Sequence, residues 1–153
     1  MPLTGVRVLI VQSGYYDDIA VTLLAGARRV LERAGAACDV VTVTGALEIP
    51  QAAVLALEAA PHRGYAGIVA LGCVIRGETS HYDIVAGESA RALMDIAIGR
   101  KIPVGNGILT VDNAAQAKLR AALEGGDKGG AAAHAVLSLV RLQRGFAARA
   151  PSS

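Results

Sequence analysis

Aromatic residues are scarce in this sequence: its 153 residues include four tyrosines, one phenylalanine and no tryptophan. The core must therefore be built from Ala, Val, Leu and Ile, a composition that suits helices packed closely on a small parallel sheet. Basic residues are scattered along the chain, and the net charge is only +2. Because nucleic-acid-binding surfaces normally gather basic residues on one face with aromatic residues between them, we expect no nucleic-acid partner.

The sequence also lacks paired cysteines and long apolar runs. The cysteines are Cys38 and Cys73, and neither belongs to a C-x-x-C pair. We therefore expect two buried free thiols in a reducing compartment. The N-terminal apolar run, residues 6–11, is too short for a signal peptide or a membrane span. These features predict a cytoplasmic protein without a membrane partner.

Several ligand-binding patterns are absent as well. The sequence has no G-x-x-x-x-G-K-[ST] phosphate loop, no G-x-G-x-x-G dinucleotide turn and no G-x-S-x-G nucleophile turn. The three histidines have no spacing typical of metal ligands, either to one another or to the cysteines: His62, His81 and His134. We therefore expect no metal site.

What the chain does contain is an alternation of short apolar runs with longer segments of helical periodicity. The apolar runs predict strands over residues 6–12, 37–43, 66–74 and 102–109. The periodic segments predict helices over residues 19–34, 51–60, 82–98, 114–122 and 131–144. This alternation indicates an α/β fold with a parallel sheet covered on both faces, in which ligands bind beyond the carboxyl ends of the strands.

Turn residues predict how the helices begin and end. Asp17 or Asp18 is expected to cap the first helix, and Gly35 is expected to end it. Asn113, with Gln116 three residues later, resembles a capping box.

Glycines and chain ends complete the predicted organisation. Residues 105–107 predict a bend in the fourth strand, and residues 125–130 predict a flexible connection. We interpret residues 1–153 as one domain with flexible ends at residues 1–5 and 147–153.

The turn at residues 72–81 has the strongest chemical character. It leaves a buried strand and enters a helix, where free backbone N–H groups and the hydroxyl of Thr79 would seat an anion. Arg76 adds a positive charge, and His81 at the helix start could exchange protons with a bound ligand near neutral pH. Alternatively, Thr79 or Ser80 only caps the helix, and His81 is a solvated surface residue.

Other turns at the same edge carry further candidates. Glu48 could accept hydrogen bonds from the N–H groups of a polar ring, or it could cap the helix that follows. Tyr15 and Tyr16 could offer a ring that stacks on a flat ligand, or form a hydrophobic lid on the sheet. The guanidinium of Arg120 suits phosphate, although on a helix such a residue usually belongs to a solvated face. These alternatives stay open.

Several stretches, in order along the chain, resemble lumazine synthases. The two signature stretches are GALEIP at residues 45–50 and ALGCVIRGETSH at residues 70–81. Later matching segments are Ile102-Pro103-Val104, Gly107-Ile108-Leu109-Thr110, Gln116-Ala117, Arg120-Ala121 and Asp127-Lys128-Gly129. The similarity extends from residue 6 to residue 142, nearly the whole chain.

This resemblance implies a flavodoxin-like three-layer α/β/α sandwich with a four-stranded parallel sheet. It implies a transferase of riboflavin biosynthesis that requires no cofactor. Such an enzyme condenses 5-amino-6-(D-ribitylamino)uracil with 3,4-dihydroxy-2-butanone 4-phosphate to 6,7-dimethyl-8-ribityllumazine, releasing phosphate and water. Because the family's active sites lie between subunits, a homo-oligomer built from pentamers is implied, with riboflavin synthase as a candidate partner.

Carried over by position, the resemblance also implies roles for individual residues. Tyr15 would stack on the pyrimidine ring, and His81 would be the proton donor. Glu78 and Thr79 would hold the phosphate together with Arg120 of the adjacent subunit. The wall of the ring and ribityl pocket would consist of Ala46, Leu47, Glu48, Cys73, Val74 and Ile75.

Two positions depart from the family pattern. Asn106, assigned to the substrate pocket, sits where many members carry Phe, so part of the aromatic enclosure is absent or replaced. Tyr16 replaces the Asn that often follows the stacking residue, which leaves open whether Tyr15 or Tyr16 stacks. Neither departure touches the phosphate seat or His81.

Two rival functions fit the same fold. A flavin or lumazine carrier would keep the ring pocket but could lose the phosphate seat, so Thr79, His81 and Arg120 together favour the enzyme. A structural shell protein would have assembly as its main role. Shell-forming members tend to carry Gly-Thr-Lys where this chain has Ala122-Leu123-Glu124, so we expect a pentamer or a decamer.

Overall fold

The computed structural model describes residues 2–149, in which four strands alternate with helices. The strands are β1 (Arg7–Ser13), β2 (Ala37–Val43), β3 (Gly67–Ile75) and β4 (Val104–Val111). The α-helices are α1 (Asp17–Arg33), α2 (Glu48–Ala59), α3 (His81–Arg100), α4 (Ala114–Ala121) and α5 (Lys128–Arg149). A short 3₁₀ turn, Pro61–Arg63, precedes β3. Residues 147–149 thus belong to α5, whereas residue 1 and residues 150–153 of the predicted flexible ends lie outside the described residues.

The strands form one parallel sheet in the order β2-β1-β3-β4. Buried residues of α1, α4 and α5 pack on one face of the sheet. Buried residues of α2 and α3 pack on the other face. The predicted three-layer α/β/α sandwich with a four-stranded parallel sheet is therefore confirmed.

Aliphatic side chains fill both halves of the core. Along β1, Val8 and Ile10 face α1 and α5, whereas Leu9 and Val11 face α2, and all are fully buried. This period of two is what a central strand covered on both faces requires. Among residues 2–149 no aromatic side chain is fully buried, which confirms the prediction of an aliphatic core.

Helix boundaries confirm one of the three predicted signals in full and one in part. Gly35 follows the end of α1 with a φ of +80°, a conformation that glycine adopts without strain. Asn113 Oδ1 accepts a hydrogen bond from the backbone N–H of Gln116 at 2.9 Å, which is one half of the predicted capping box. The Gln116 side chain accepts from the backbone N–H of Asp112, one residue before the N-cap, instead of from Asn113. The prediction for α1 is wrong: its N-cap is Tyr16, and Asp17 and Asp18 lie in the first turn without capping it.

The predicted bend at residues 105–107 does not form, and of the predicted connection at residues 125–130 only residues 125–127 lie in the turn between α4 and α5. Strand β4 continues through residues 105–107, and a Cβ on Gly105 would collide with the carbonyl oxygen of Ala132 in α5. Likewise, Gly129 lies inside α5, where a Cβ would collide with the carbonyl oxygen of Leu23 in α1. Both segments were misread because glycine also serves close backbone packing, which local sequence cannot distinguish from a bend.

Candidate active site

A cavity of about 410 Å³ opens at the carboxyl ends of β1, β2 and β3. Its volume lies within the usual range for small-molecule sites. Each strand end contributes residues, and the first turn of α3 closes one side. The lining residues are Tyr15, Tyr16, Thr44, Gly45, Ala46, Leu47, Glu48, Cys73, Val74, Ile75, His81 and Val85. Three separate turns therefore meet at the edge where parallel sheets bind ligands.

Most of the predicted site residues lie together in this cavity. These are Tyr15, Ala46, Leu47, Glu48, Cys73, Val74, Ile75 and His81. The remaining predicted residues do not line it: Glu78, Thr79, Asn106 and Arg120. The predicted ring pocket and His81 therefore line the cavity, whereas all three predicted phosphate contacts lie outside it.

The two tyrosines after β1 differ in exposure. Tyr15 is 71% exposed, whereas Tyr16 is half-buried and packs against the core. Their rings meet edge to face, with centroids 4.9 Å apart. Burial, with smaller contributions from Cys73 and Tyr15, raises the pKa of the Tyr16 phenol. Tyr15 therefore presents the accessible ring, and the half-buried Tyr16 contacts that ring edge to face while packing against the core.

The walls of the cavity come from the ends of β2 and β3. Ala46, Cys73 and Val74 are buried, and Leu47 and Ile75 are half-buried. Beside this apolar surface, Glu48 is exposed at the first position of α2. The N-cap of α2 is Leu47 and no side chain caps the helix, so the interpretation of Glu48 as a cap is wrong. The Glu48 carboxylate is therefore not used in capping α2.

The turn between β3 and α3 presents an uncapped helix start. Ser80 occupies the N-cap position of α3, but no side chain makes a capping hydrogen bond there. The hydroxyl of Thr79 accepts a long hydrogen bond, 3.3 Å, from the backbone N–H of His81. The first N–H groups of a helix have no partner within the helix, and the helix dipole favours negative charge beside them. This turn therefore has the geometry of an anion site, with His81 at its edge.

Arg76 anchors the same turn to β4. Its Nε donates to Asp112 Oδ1 at 3.0 Å, its Nη1 lies 3.9 Å from Asp83, and its guanidinium stacks 4.4 Å above the ring of Tyr82. Its backbone N–H also donates to the carbonyl of Val111 at 2.8 Å. The hydrogen bond with Asp112 raises the pKa of Arg76. The sequence suggested that the charge of Arg76 would attract an anion, but its guanidinium instead holds the turn in place.

Arg120 and Asn106 lie on elements beyond this cavity. Arg120 is exposed on α4, where its Nη1 donates to Gln116 Oε1 at 3.3 Å. Asn106 is exposed on the edge strand β4, and its Oδ1 accepts from the backbone N–H of Ile108 at 2.9 Å. Neither residue lines the cavity that contains His81.

A second cavity, of about 420 Å³, lies between α3, β4 and α5. Its lining is almost entirely apolar and includes three strongly exposed side chains: Met94 (62%), Ile98 (73%) and Phe146 (59%). Contiguous exposed apolar surface is typical of contacts with another protein chain. Since polar and titratable groups converge at the carboxyl ends of the strands instead, the cavity that contains His81 is the candidate active site.

Gly45, Thr44 and Val85 line the cavity but were not among the predicted site residues, and of these only Gly45 belongs to a turn that the sequence singled out. Thr44 directly follows β2, and Val85 lies one helical turn after His81. The sequence could have indicated both Thr44 and Val85. Thr44 continues β2 toward the edge of the sheet where ligands bind, and Val85 lies four residues after His81, on the same face of α3. Neither side chain is chemically distinctive, which is why composition did not single them out.

The two cysteines are free and differ in burial: Cys73 is buried as predicted, whereas Cys38 is only half-buried. Burial, with a smaller contribution from Asp18, raises the pKa of Cys73 to about 11. At pH 8 only about 10⁻³ of such a thiol is ionised, and the thiolate is the nucleophile.

We expect iodoacetamide at pH 8 to alkylate Cys38 well before Cys73, as followed by peptide mass mapping over time. In a Cys38→Ser variant, the rapid phase of labelling should disappear. Labelling of Cys73 at a rate equal to that of Cys38 would contradict its burial and raised pKa.

Within residues 2–149, no helix is long and apolar enough to cross a membrane. The same part of the chain contains no group of three or more His, Cys, Asp or Glu residues arranged to hold a metal ion.

Comparisons with known proteins agree with the geometry of the site. The family model described as 6,7-dimethyl-8-ribityllumazine synthase matches residues 5–144. The protein of that name from Azorhizobium caulinodans is 62% identical over 145 residues, covering 94% of this chain and 90% of the relative. The protein of the same name from Xanthobacter autotrophicus is 60% identical over 144 residues, covering 93% of this chain and 87% of the relative.

A third relative, 6,7-dimethyl-8-ribityllumazine synthase 1 of Rhizobium meliloti, is 55% identical over 141 residues, covering 91% of this chain and 92% of the relative. The family-model match over residues 5–144 includes every turn that lines the candidate site. The chain belongs to the 6,7-dimethyl-8-ribityllumazine synthase family, as its sequence motifs predicted.

Proposed function

We propose that the cavity containing His81 is where this chain forms 6,7-dimethyl-8-ribityllumazine as a transferase of riboflavin biosynthesis. The substrates are 5-amino-6-(D-ribitylamino)uracil and 3,4-dihydroxy-2-butanone 4-phosphate, and phosphate and water are released. One observation carries the proposal: residues from three separate turns, which the family resemblance assigns to one substrate site, line a single cavity.

The cavity suits a flat polar ring with a hydroxylated side chain. The exposed ring of Tyr15 stacks on the pyrimidine. Ala46, Leu47 and Val74 supply apolar walls, and the carboxylate of Glu48 accepts hydrogen bonds from ring N–H or ribityl hydroxyl groups. The half-buried Tyr16 fixes Tyr15 by its edge-to-face contact, which supports Tyr15 as the stacking residue.

The uncapped start of α3 suits the phosphate group. Backbone N–H groups after Glu78 and Thr79 bind phosphate oxygens, and the helix dipole adds to the attraction. Arg76 keeps this turn in place through Asp112. Further charge neutralisation comes from Arg120 of the neighbouring subunit, whose guanidinium fork matches phosphate geometry.

The reaction requires repeated proton transfers beside the bound phosphate. The amine of the pyrimidine attacks the ketone and water leaves, which gives an imine. Phosphate is then eliminated and the product tautomerises to a ketone. The exocyclic amine that bears the ribityl chain attacks this carbonyl, and a second water leaves as the second ring closes. His81 lies at the start of α3, beside the turn proposed to bind phosphate, and its side chain lines the cavity. It gives and takes protons in these steps. Holding both substrates side by side supplies much of the remaining acceleration.

The site is shared between subunits of a cytoplasmic homo-oligomer built from pentamers. Arg120 does not line the cavity of its own chain, and the apolar cavity between α3, β4 and α5 offers a surface that a neighbour would cover. Asn106 lines that same apolar cavity and would face the neighbouring subunit. The residues at 122–124 favour a pentamer or a decamer over a shell, and riboflavin synthase stays a candidate partner.

The direct test follows product and phosphate together. Purified protein, without added metal or nucleotide, is mixed with both substrates, and lumazine fluorescence and phosphate release are recorded against a protein-free background. The proposal predicts that both signals rise together, in equal amounts, well above that background. Binding of the pyrimidine without either product would contradict the enzyme and indicate a carrier.

A further inference from the structure

Arg120 shares a hydrogen-bond acceptor with the start of its own helix. Oε1 of Gln116 accepts from the backbone N–H of Asp112 at 2.8 Å and from Nη1 of Arg120 at 3.3 Å. The two side chains lie four residues apart on α4, which places them on the same helical face. One oxygen atom therefore connects the guanidinium group to the backbone at the end of β4.

This acceptor is fixed independently of Arg120. The backbone N–H of Asp112 holds the amide oxygen at 2.8 Å, and the Asp112 carboxylate in turn accepts from Arg76 at 3.0 Å. Gln116 is half-buried, whereas Arg120 is exposed. The amide oxygen is therefore held in position by the turn before α4, whatever the conformation of Arg120.

A fixed acceptor changes what an exposed arginine can do. A free arginine side chain samples many rotamers, and ordering it on a ligand costs free energy. A hydrogen bond through one terminal N–H restricts those rotamers and leaves the other N–H groups of the fork for an anion.

We propose that Gln116 is a positioning residue, which orients Arg120 toward the phosphate of the butanone phosphate substrate. This inference rests on the proposed function, which places Arg120 at the phosphate in the neighbouring subunit's site. Gln116 acts through Arg120 and does not itself contact the substrate. Its two acceptor bonds thus combine a helix cap with the orientation of a substrate-binding side chain.

Gln116→Met tests this role because methionine keeps the length and the helix propensity of the side chain but removes the strong acceptor. We expect the KM for the butanone phosphate to rise about three- to tenfold, as the loss of one long, solvent-exposed hydrogen bond implies. The inhibition constant of inorganic phosphate should rise by the same factor. The kcat and the KM for the pyrimidine should stay unchanged.

Asn113→Ala is the matched control, because it removes the other hydrogen bond of the same helix cap without touching Arg120. It should lower the Tm but leave the KM for the butanone phosphate unchanged. An equal rise of that KM in both variants would overturn the inference, since Gln116 would then act only as a cap.

The dependence on Arg120 is tested by combining substitutions. In an Arg120→Ala background, Gln116→Met should add no further rise in KM, because the group that it orients is gone. A further rise of the same size there would overturn the inference. An Arg120→Ala variant with the native KM would instead contradict the proposed phosphate role of Arg120, and the positioning role would fall with it.

Discussion

Replacing His81 by alanine is expected to lower kcat by about 100-fold, the lower end of the usual contribution of an acid–base group, while leaving measurable turnover. His81 is the titratable side chain at the junction of the cavity and the phosphate turn. In the proposed mechanism, its loss removes the proton-transferring group, whereas the cavity walls and the start of α3, which position the two substrates, persist. The KM values of both substrates should therefore change little.

Steady-state kinetics with both substrates saturating would measure this effect. His62→Ala is the matched control, because His62 is an exposed histidine in the 3₁₀ turn before β3 and does not line the cavity. It should keep the native kcat. A native kcat in His81→Ala, or an equal loss in both variants, would count against His81 as the proton-transferring group.

Replacing Arg120 by alanine is expected to raise the KM for the butanone phosphate by about 100-fold. In the proposed site, the guanidinium of Arg120 makes charge-assisted hydrogen bonds to the phosphate and does not contact the pyrimidine. The KM for the pyrimidine should therefore stay near its native value, and kcat at saturating phosphate substrate should fall much less than kcat/KM.

Lys118→Ala controls for the loss of a positive charge, because Lys118 is an exposed cation on the same helix, α4. If general electrostatic attraction were the cause, both variants would raise the KM to a similar extent. If Arg120 binds the phosphate specifically through its guanidinium group, the KM should rise strongly for Arg120→Ala alone. Particle mass should be checked in parallel, since both variants must retain the native assembly for the comparison to hold.

Much of the fold could be predicted because hydrophobic periodicity directly reports burial. β2 was predicted with its observed bounds, residues 37–43. Helix α2, however, begins at Glu48 rather than at residue 51, because its first turn holds residues that periodicity alone would assign to a loop. Gly105 and Gly129 were misread for a different reason: their contacts with α5 and α1 are tertiary, and no local pattern reports them.

The ring side of the candidate site was also accessible from sequence. The turns at residues 45–50 and 70–81 follow buried strands, so parallel topology brings them to one edge. The role of Arg76 was not accessible, because its partner Asp112 lies 36 residues later, at the end of β4. Nor could spacing show that Arg120 lies outside the cavity that contains His81, since this depends on how α4 packs after β4.

Whether one active site takes His81 from one subunit and Arg120 from the next is tested most directly by mixing the two variants. His81→Ala and Arg120→Ala subunits with different tags are co-expressed, mixed oligomers are isolated, and lumazine formation is measured at low butanone phosphate. With random assembly in a ring, about a quarter of the interfaces join a native His81 to a native Arg120. We therefore predict recovery to about a quarter of the wild-type rate. A rate no higher than the mean of the two variants alone would contradict a shared active site.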